Sequence, residues 1–376
     1  MTDTTTTDGI IRVDDEDIGH PDSVVKKKKK ITLKSGHTVE NKHLMKRTGI
    51  DITPFYRYNS KATVKRKYIS IATHTSTGGF VRFQRLLDMA SRWDGYISVA
   101  VHVKQSEIGE ENLTKDVDAL IDKYSSFFKD KVAFHLVIDR RESKESEFYP
   151  MNLLRNVAME NTVTDLVLNL DIDFIPSLNS HNQLLTHMSH LKNNTKAVMI
   201  LPSFERSLAT GEDWDDVISS DLISSKIQLI NEMKTKSPVT ISKKKLYSPF
   251  NAGHEPTDFP RWYNASDVYM VKYYIKYEPY YVVRKSETLP LFWEHFTGFG
   301  QSKLSWNEEM AILGYEFYVN PDAFLIQSKI KLKKQKATRQ WIHNEYFKSF
   351  RPYLKETYGI RKFIINLPGY LPQKSR

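Results

Sequence analysis

The chain has 376 residues, 40% of them apolar and 12% aromatic, enough to bury a large core in one big domain or two smaller ones. The 55 Lys and Arg against 45 Asp and Glu give a formal net charge of +10, which raises affinity for polyanions. The absence of cysteine excludes disulfides, thiolate metal sites and cysteine nucleophiles.

Residues 1–66 begin with "TDTTTTDG", pass through the acidic "DDED" and reach five lysines at 26–30, with little apolar periodicity. This is the composition of a disordered or loosely attached charged arm. From Lys67 the pattern changes to the apolar runs "KYISIAT", "GYISVAVHV", "KVAFHLVID", "DLVLNLDID" and "KAVMILPSF". Helical stretches are expected between them, around 80–92, 111–127, 150–162 and 178–192. Such alternation predicts an α/β fold with crossover connections and a mostly parallel central sheet covered on both faces. Residues 67–205 are then a nucleotide-binding half. Past about residue 240 the sequence turns aromatic and Gly- and Pro-punctuated, so 206–360 are expected to supply loops and short strands covering a site, and 361–376 a tail. No apolar run of about 18 residues and no charged-then-apolar leader occurs, so the chain as written is expected to be soluble and cytoplasmic, without a transmembrane segment.

"DLVLNLDIDFIPS", residues 165–177, sets Asp171 and Asp173 one residue apart at the end of an apolar run. On a strand both carboxylates point to one face, at the sheet edge where α/β proteins bind ligands. Their repulsion calls for a cation, and hard oxygen ligands favour Mn²⁺ or Mg²⁺ beside the oxygens of a nucleotide diphosphate. Upstream, "YPMNLLRNVAME" places Asn152, Arg155 and Asn156 on one helical face, suited to holding a nucleotide.

"YPMNLLRNVAME" followed by "LDIDFIP", then "NAGHEPTDFPRW", "YEPYYVVRK" and "FTGFG", resemble in order the blocks of glycosyltransferase family 49, which includes the glucuronyltransferase domain of the LARGE proteins and the β-1,4-glucuronyltransferase of dystroglycan glycosylation. The similarity runs from about residue 67 to about 360. It implies a GT-A, Rossmann-like nucleotide-sugar-binding fold and metal-dependent, inverting transfer of a sugar, glucuronic acid in the best-known members, from a UDP-sugar to a glycan or glycoconjugate acceptor. By motif matching Asp171 and Asp173 are the metal pair, Thr73 and Ser76 of "ATHTS" line the nucleotide pocket, and Glu309 is the general base. Gly253, His254 and Trp262, with Gly298, Phe299 and Gly300, are expected in donor or acceptor loops. Family members work in the Golgi lumen behind a membrane anchor, which makes that lumen the alternative compartment.

The sequence departs from the family pattern at Trp306, where LARGE-type members have His, and at Ala311, where they have Asp. Gln327 stands where the resemblance implies a histidine metal ligand, and an amide is a poorer ligand than imidazole for Mn²⁺. Two other readings stay open: a relative that binds sugar nucleotide or glycan without transferring sugar, and a basic nucleic-acid binder or metal nuclease. Against the last, the sequence carries no recognised nucleic-acid motif. The lysines of "KIKLKKQKATR", from Lys329 to Arg339, are either a solvated surface or an approach for donor phosphates.

Overall fold

β-Branched and aromatic runs such as "ISIATHTS" and "YISVAVHV" form strands because such side chains pack well on a pleated surface covered on both sides. The computed structural model describes residues 31–32, 38–39, 42–57, 68–76, 80–108, 112, 114–128, 131–142, 148–190, 193–209, 211–213, 217–234, 246–250, 253–298, 300–327 and 338–360. The chain divides into two units between Lys42 and His43. In the first, β1 (Ile31–Thr32) and β2 (Thr38–Val39) pair antiparallel.

The strands of the second unit are, in chain order, β3 (Ile50–Arg57), β4 (Ile69–Ser76), β5 (Tyr96–Lys104), β6 (Val132–Asp139), β7 (Leu166–Asn169), β8 (Phe174–Pro176), β9 (Ala197–Leu201), β10 (Ser203–Arg206), β11 (Tyr247–Pro249), β12 (Tyr269–Val271), β13 (Tyr280–Arg284), β14 (Glu316–Val319) and β15 (Leu325–Gln327). Nine form one sheet in the order β12-β14-β9-β13-β7-β4-β5-β6-β3, and four form a second in the order β11-β10-β15-β8. Six of the nine, β4, β5, β6, β7, β9 and β14, run in one direction. The α/β, mostly parallel sheet expected of a GT-A fold is therefore present. Phe80–Arg92, Met151–Glu160 and Ser180–His190 are helical, close to expectation. No helix among the described residues is long and apolar enough to cross a membrane.

Two expectations need correction. The arm does not extend to residue 66, because β3 lies in the second unit and pairs antiparallel with β6 at the edge of the large sheet. Residues 1–30 and 361–376 lie outside the described residues. "YEPYYVV" does not merely cover a site: its Tyr280–Arg284 is a buried strand inserted antiparallel between β9 and β7.

β3 carries a register shift between Thr53 and Arg57, with Phe55 at a φ of 51°. The Phe55 N–H donates to His135 Nδ1 at 2.9 Å. His135 Nε2 is 2.8 Å from the Ser98 hydroxyl, which donates in turn to the Ala158 carbonyl at 2.6 Å. The imidazole must therefore be neutral, with its proton on Nε2, and burial pushes its pKa down to about 4. The unfolded chain binds a proton here below about pH 6.5 that the folded one refuses, so stability falls as pH drops from about 6.5 to about 4, by about 3 kcal/mol in all. Denaturant melts should show His135→Gln flatter than the wild type between about pH 6.5 and 5; parallel curves would contradict this.

Candidate active site

Asp171 and Asp173 lie past the end of β7, in the turn that carries the chain from the large sheet to β8 of the small one. Leu170 N–H reaches the Ala72 carbonyl at 2.9 Å, and Phe174 N–H closes the turn on the Asp171 carbonyl at 3.0 Å. The expectation that strand alternation aligns the two carboxylates is thus corrected. Phe174–Pro176 pairs with β15 rather than prolonging β7, so the residues between must change sheets.

Asp171 is ringed by donors. Its Oδ1 accepts from Arg155 Nη2 at 2.5 Å and its Oδ2 from the Tyr280 hydroxyl at 2.6 Å. Lys303 Nζ stands 3.8 Å away and His74 Nε2 3.9 Å away. Burial pushes this carboxyl's pKa up, but the charges of Arg155, Lys303 and His74 and the Tyr280 bond outweigh it and hold it well below the usual carboxylate range. Asp173 has no such company. Burial first, then the charge on Asp171, push it up to about 6, against the hydrogen bond at 3.0 Å from Gln327 Nε2, a backbone N–H and the charge on Lys303. Gln327 faces Phe174 across the β15–β8 ladder, which is why it reaches the neighbouring Asp173. Its Oε1 is buried with no hydrogen-bond partner among the described residues.

Arg155 comes from the helix Met151–Glu160, buried from Asn152 to Met159, and its other amino group meets the Ser302 hydroxyl. Ser302 and Lys303 begin the helix Ser302–Ile312, so two helix segments converge on Asp171. Lys303 Nζ lies 3.8 Å from the centroid of the Tyr280 ring, which packs at 4.5 Å on Phe174.

The amides flanking Arg155 have a different task from the one expected. Asn152 donates to the Trp293 carbonyl at 2.8 Å and accepts from Ser302. Asn156 brackets Phe292, donating to its carbonyl at 2.9 Å and accepting from its N–H at 2.8 Å. Both are fully buried and lace the 292–294 segment to the helix, so they are corrected from nucleotide contacts to structural ties. In β4 it is His74 that reaches Asp171. Ser76 shares its face, while Thr73 turns to the other, with its hydroxyl buried and unpartnered among the described residues.

Glu309 is also differently placed than expected of a base. It is 1% exposed, and its oxygens accept from His43 Nε2 at 2.8 Å, the Tyr358 hydroxyl at 2.7 Å and the Tyr353 hydroxyl at 3.4 Å. Glu308 likewise receives Tyr346 and Arg351. Both glutamates fasten helix Ser302–Ile312 to the aromatic cluster of Trp293, Phe296, Tyr346, Phe350 and Tyr353.

Trp262 is core, packed on Phe204 and Phe324 with its N–H on the Asn320 carbonyl at 2.9 Å. His254, by contrast, is fully buried with neither ring nitrogen partnered among the described residues. Gly253 has a φ of 78°, and a Cβ there would meet the Lys276 carbonyl oxygen at 2.8 Å. Gly298 and Gly300 also have positive φ, and Gly298 N–H reaches the Tyr149 carbonyl at 2.8 Å. Phe299 and the lysines from Lys329 to Lys336 lie outside the described residues.

Sequence reasoning missed His74, Tyr280 and Lys303. His74 and Tyr280 lie inside the blocks "ATHTS" and "YEPYYVVRK", and Lys303 stands three residues past "FTGFG", so position beside these blocks was the available signal.

The family described as "Glycosyl-transferase for dystroglycan" matches residues 68–148 and 141–359. Glycosyltransferase-like protein gnt14 of Dictyostelium discoideum is 33% identical over 266 residues, 69% of this chain and 36% of that protein. Human xylosyl- and glucuronyltransferase LARGE1 is 31% identical over 247 residues, 65% of this chain and 29% of that protein. Glycosyltransferase-like protein LARGE of Caenorhabditis elegans is 26% identical over 281 residues, 74% of this chain and 41% of that protein. The chain thus spans between 29% and 41% of the length of these three relatives. A crystal structure of GalNAc-T7 with UDP, GalNAc and Mn2+ superposes at a TM-score of 0.43 and 10% identity over 79% of this chain and 52% of that one, a likeness too loose to assign any residue. With the family's match running through the acidic turn, the Arg155 helix and the Lys303 helix alike, the chain belongs to the dystroglycan glycosyl-transferase family.

Proposed function

We propose that this chain is an inverting, metal-dependent glycosyltransferase that takes a sugar from a UDP-sugar, UDP-glucuronate being the first to test, and passes it to a glycan hydroxyl. The observation that carries the reading is the acidic turn itself: two carboxylates in different environments at the carboxyl edge of parallel strands, faced by the buried Arg155 and the half-buried Lys303. The named relatives support transfer to or from sugars as the class of chemistry.

The donor set fits a hard dication. Arg155 and Lys303 supply two positive charges against three carboxylates, Asp171, Asp173 and Glu278, so a diphosphate entering this site adds negative charge to an already negative neighbourhood. No cluster of three or more His, Asp or Glu with metal-holding geometry occurs among the described residues, so Asp171, Asp173 and the orphaned Oε1 of Gln327 would hold the ion together with ligand oxygens. Bound there, a dication neutralises charge on the departing diphosphate. Arg155 and Tyr280 fix the Asp171 carboxylate, and Lys303, anchored over Tyr280, offers a cation to the same phosphates.

Titration of UDP into the protein should give binding in Mn²⁺ or Mg²⁺ that EDTA abolishes; equal binding in EDTA would remove the metal from this reading. Gln327→His, which exchanges an amide oxygen for an imidazole, should tighten Mn²⁺ binding in the same titration. UDP release from a panel of UDP-sugars with glycoside acceptors then identifies the donor, and binding without release favours the relative that holds sugar nucleotide but does not transfer it.

A further inference from the structure

We infer that Glu278 is the carboxylate that takes the proton from the acceptor hydroxyl, with His254 positioning that acceptor. The inference rests on the proposed transfer reaction. A base must meet the acceptor oxygen, and Glu309 already has both oxygens bonded by His43, Tyr353 and Tyr358. Seven residues also separate it from Ser302, about 10 Å along the helix.

Glu278 is placed differently. It precedes Pro279, and the residue before a proline is driven to an extended conformation. In an extended chain residues two apart point to the same side, so Glu278 shares the side of Tyr280, whose hydroxyl is on Asp171. Its own N–H is held by the Gly253 carbonyl at 2.8 Å. Its Cβ and Cγ lie 3.5 Å from where a Cβ on Gly253 would be, so the Glu278 side chain sits against the Gly253 turn. The carboxylate is half-buried, within the fields of Lys303, Arg155 and Asp171, and no described residue bonds it. Burial makes it more basic than an ordinary glutamate.

His254 follows Gly253 in the chain, and its ring is 5.1 Å from that of Phe250 and 6.0 Å from that of Tyr280. A fully buried imidazole with two nitrogens unpartnered among the described residues leaves hydrogen bonds unmade, which costs free energy. Acceptor hydroxyls supply the missing partners. The step balances as follows: the acceptor O–H proton passes to Glu278 as that oxygen bonds the anomeric carbon, and the bond from that carbon to the diphosphate oxygen breaks, its electron pair leaving on UDP.

The test uses the full chain in Mn²⁺, with whichever UDP-sugar and p-nitrophenyl glycoside give the fastest UDP release by the wild type. Glu278→Gln should lower kcat by roughly 10²–10⁴-fold while Mn²⁺-dependent UDP binding and the folded state are retained, with neither donor affinity nor melting temperature falling. Glu278→Asp should recover part of the rate, and His254→Gln should raise acceptor KM but not donor KM. Wild-type turnover by Glu278→Gln overturns the assignment alone, as does a loss of UDP binding or of melting temperature that accounts for its lost rate. A wild type that binds Mn²⁺ and UDP but releases none from any donor overturns the transferase reading, and this inference with it.

Discussion

Asp171→Asn is expected to abolish metal-dependent UDP binding and transfer and also to cost about 2–3 kcal/mol of stability, whereas Asp173→Asn loses the same functions and gains about 1–2 kcal/mol. From sequence, either substitution relieves the same repulsion. The structure separates them. Arg155 is 2% exposed and relies on Asp171 for its counter-charge, so the Asn variant strands a buried guanidinium. The cost sits low in the range for a broken buried pair because the Asp171 side chain is 25% exposed. Asp173 has its pKa raised to about 6 by burial and by Asp171, so at pH 7 its charge opposes folding, and the opposition lifts as pH falls through about 6. Thermal melts of metal-free protein should place Asp173→Asn above the wild type and Asp171→Asn below it by several degrees. Equal shifts would show that the two carboxylates are interchangeable.

A chain beginning at Lys67 is expected not to fold, while one beginning at His43 keeps its melting transition. The longer deletion removes β3 and its ladder with β6. It also removes Arg47, which pairs with Glu294, and His43, which bonds Glu309. Each glutamate is 1% exposed; Glu309 keeps its tyrosine hydroxyls, but Glu294 loses its ion-pair partner, and breaking a buried pair costs about 3–5 kcal/mol. Added to the lost β3 ladder, that is a large share of a domain's stability, about 5–15 kcal/mol. Circular dichroism and size-exclusion chromatography of the two chains decide the matter; a folded chain from Lys67 would refute it.

The strands from Ile69 to Leu201 and the helices among them were legible because each carries its own signal, apolar runs bounded by turns and amphipathic stretches of helical length. Asp171 and Asp173 were legible as a pair because isolated charges seldom interrupt apolar sequence. Their turn was not, since whether Phe174 prolongs β7 or crosses to another sheet depends on β15, about 150 residues away. Distance along the chain also hid the partners of Asn152, Asn156 and Glu309. Their residue types suit a ligand site, but a main-chain carbonyl such as that of Trp293, or a hydroxyl such as that of Tyr358, satisfies them equally well. The boundary at 66 failed because β3, with Thr53, Pro54 and Phe55 exposed, has too little apolar alternation to announce itself.

That same strand governs what can add to its margin of the large sheet. An outermost strand offers its outward amides and carbonyls as a template on which another chain can extend the sheet. Here the regular ladder lasts only from Ile50 to Thr53. Pro54 then has no N–H to give, and the amide of Phe55 is turned inward to His135. A foreign strand aligned along this margin finds four regular residues and then a break, so the bulge that fastens β3 to its neighbour also guards this margin of the sheet against strand addition.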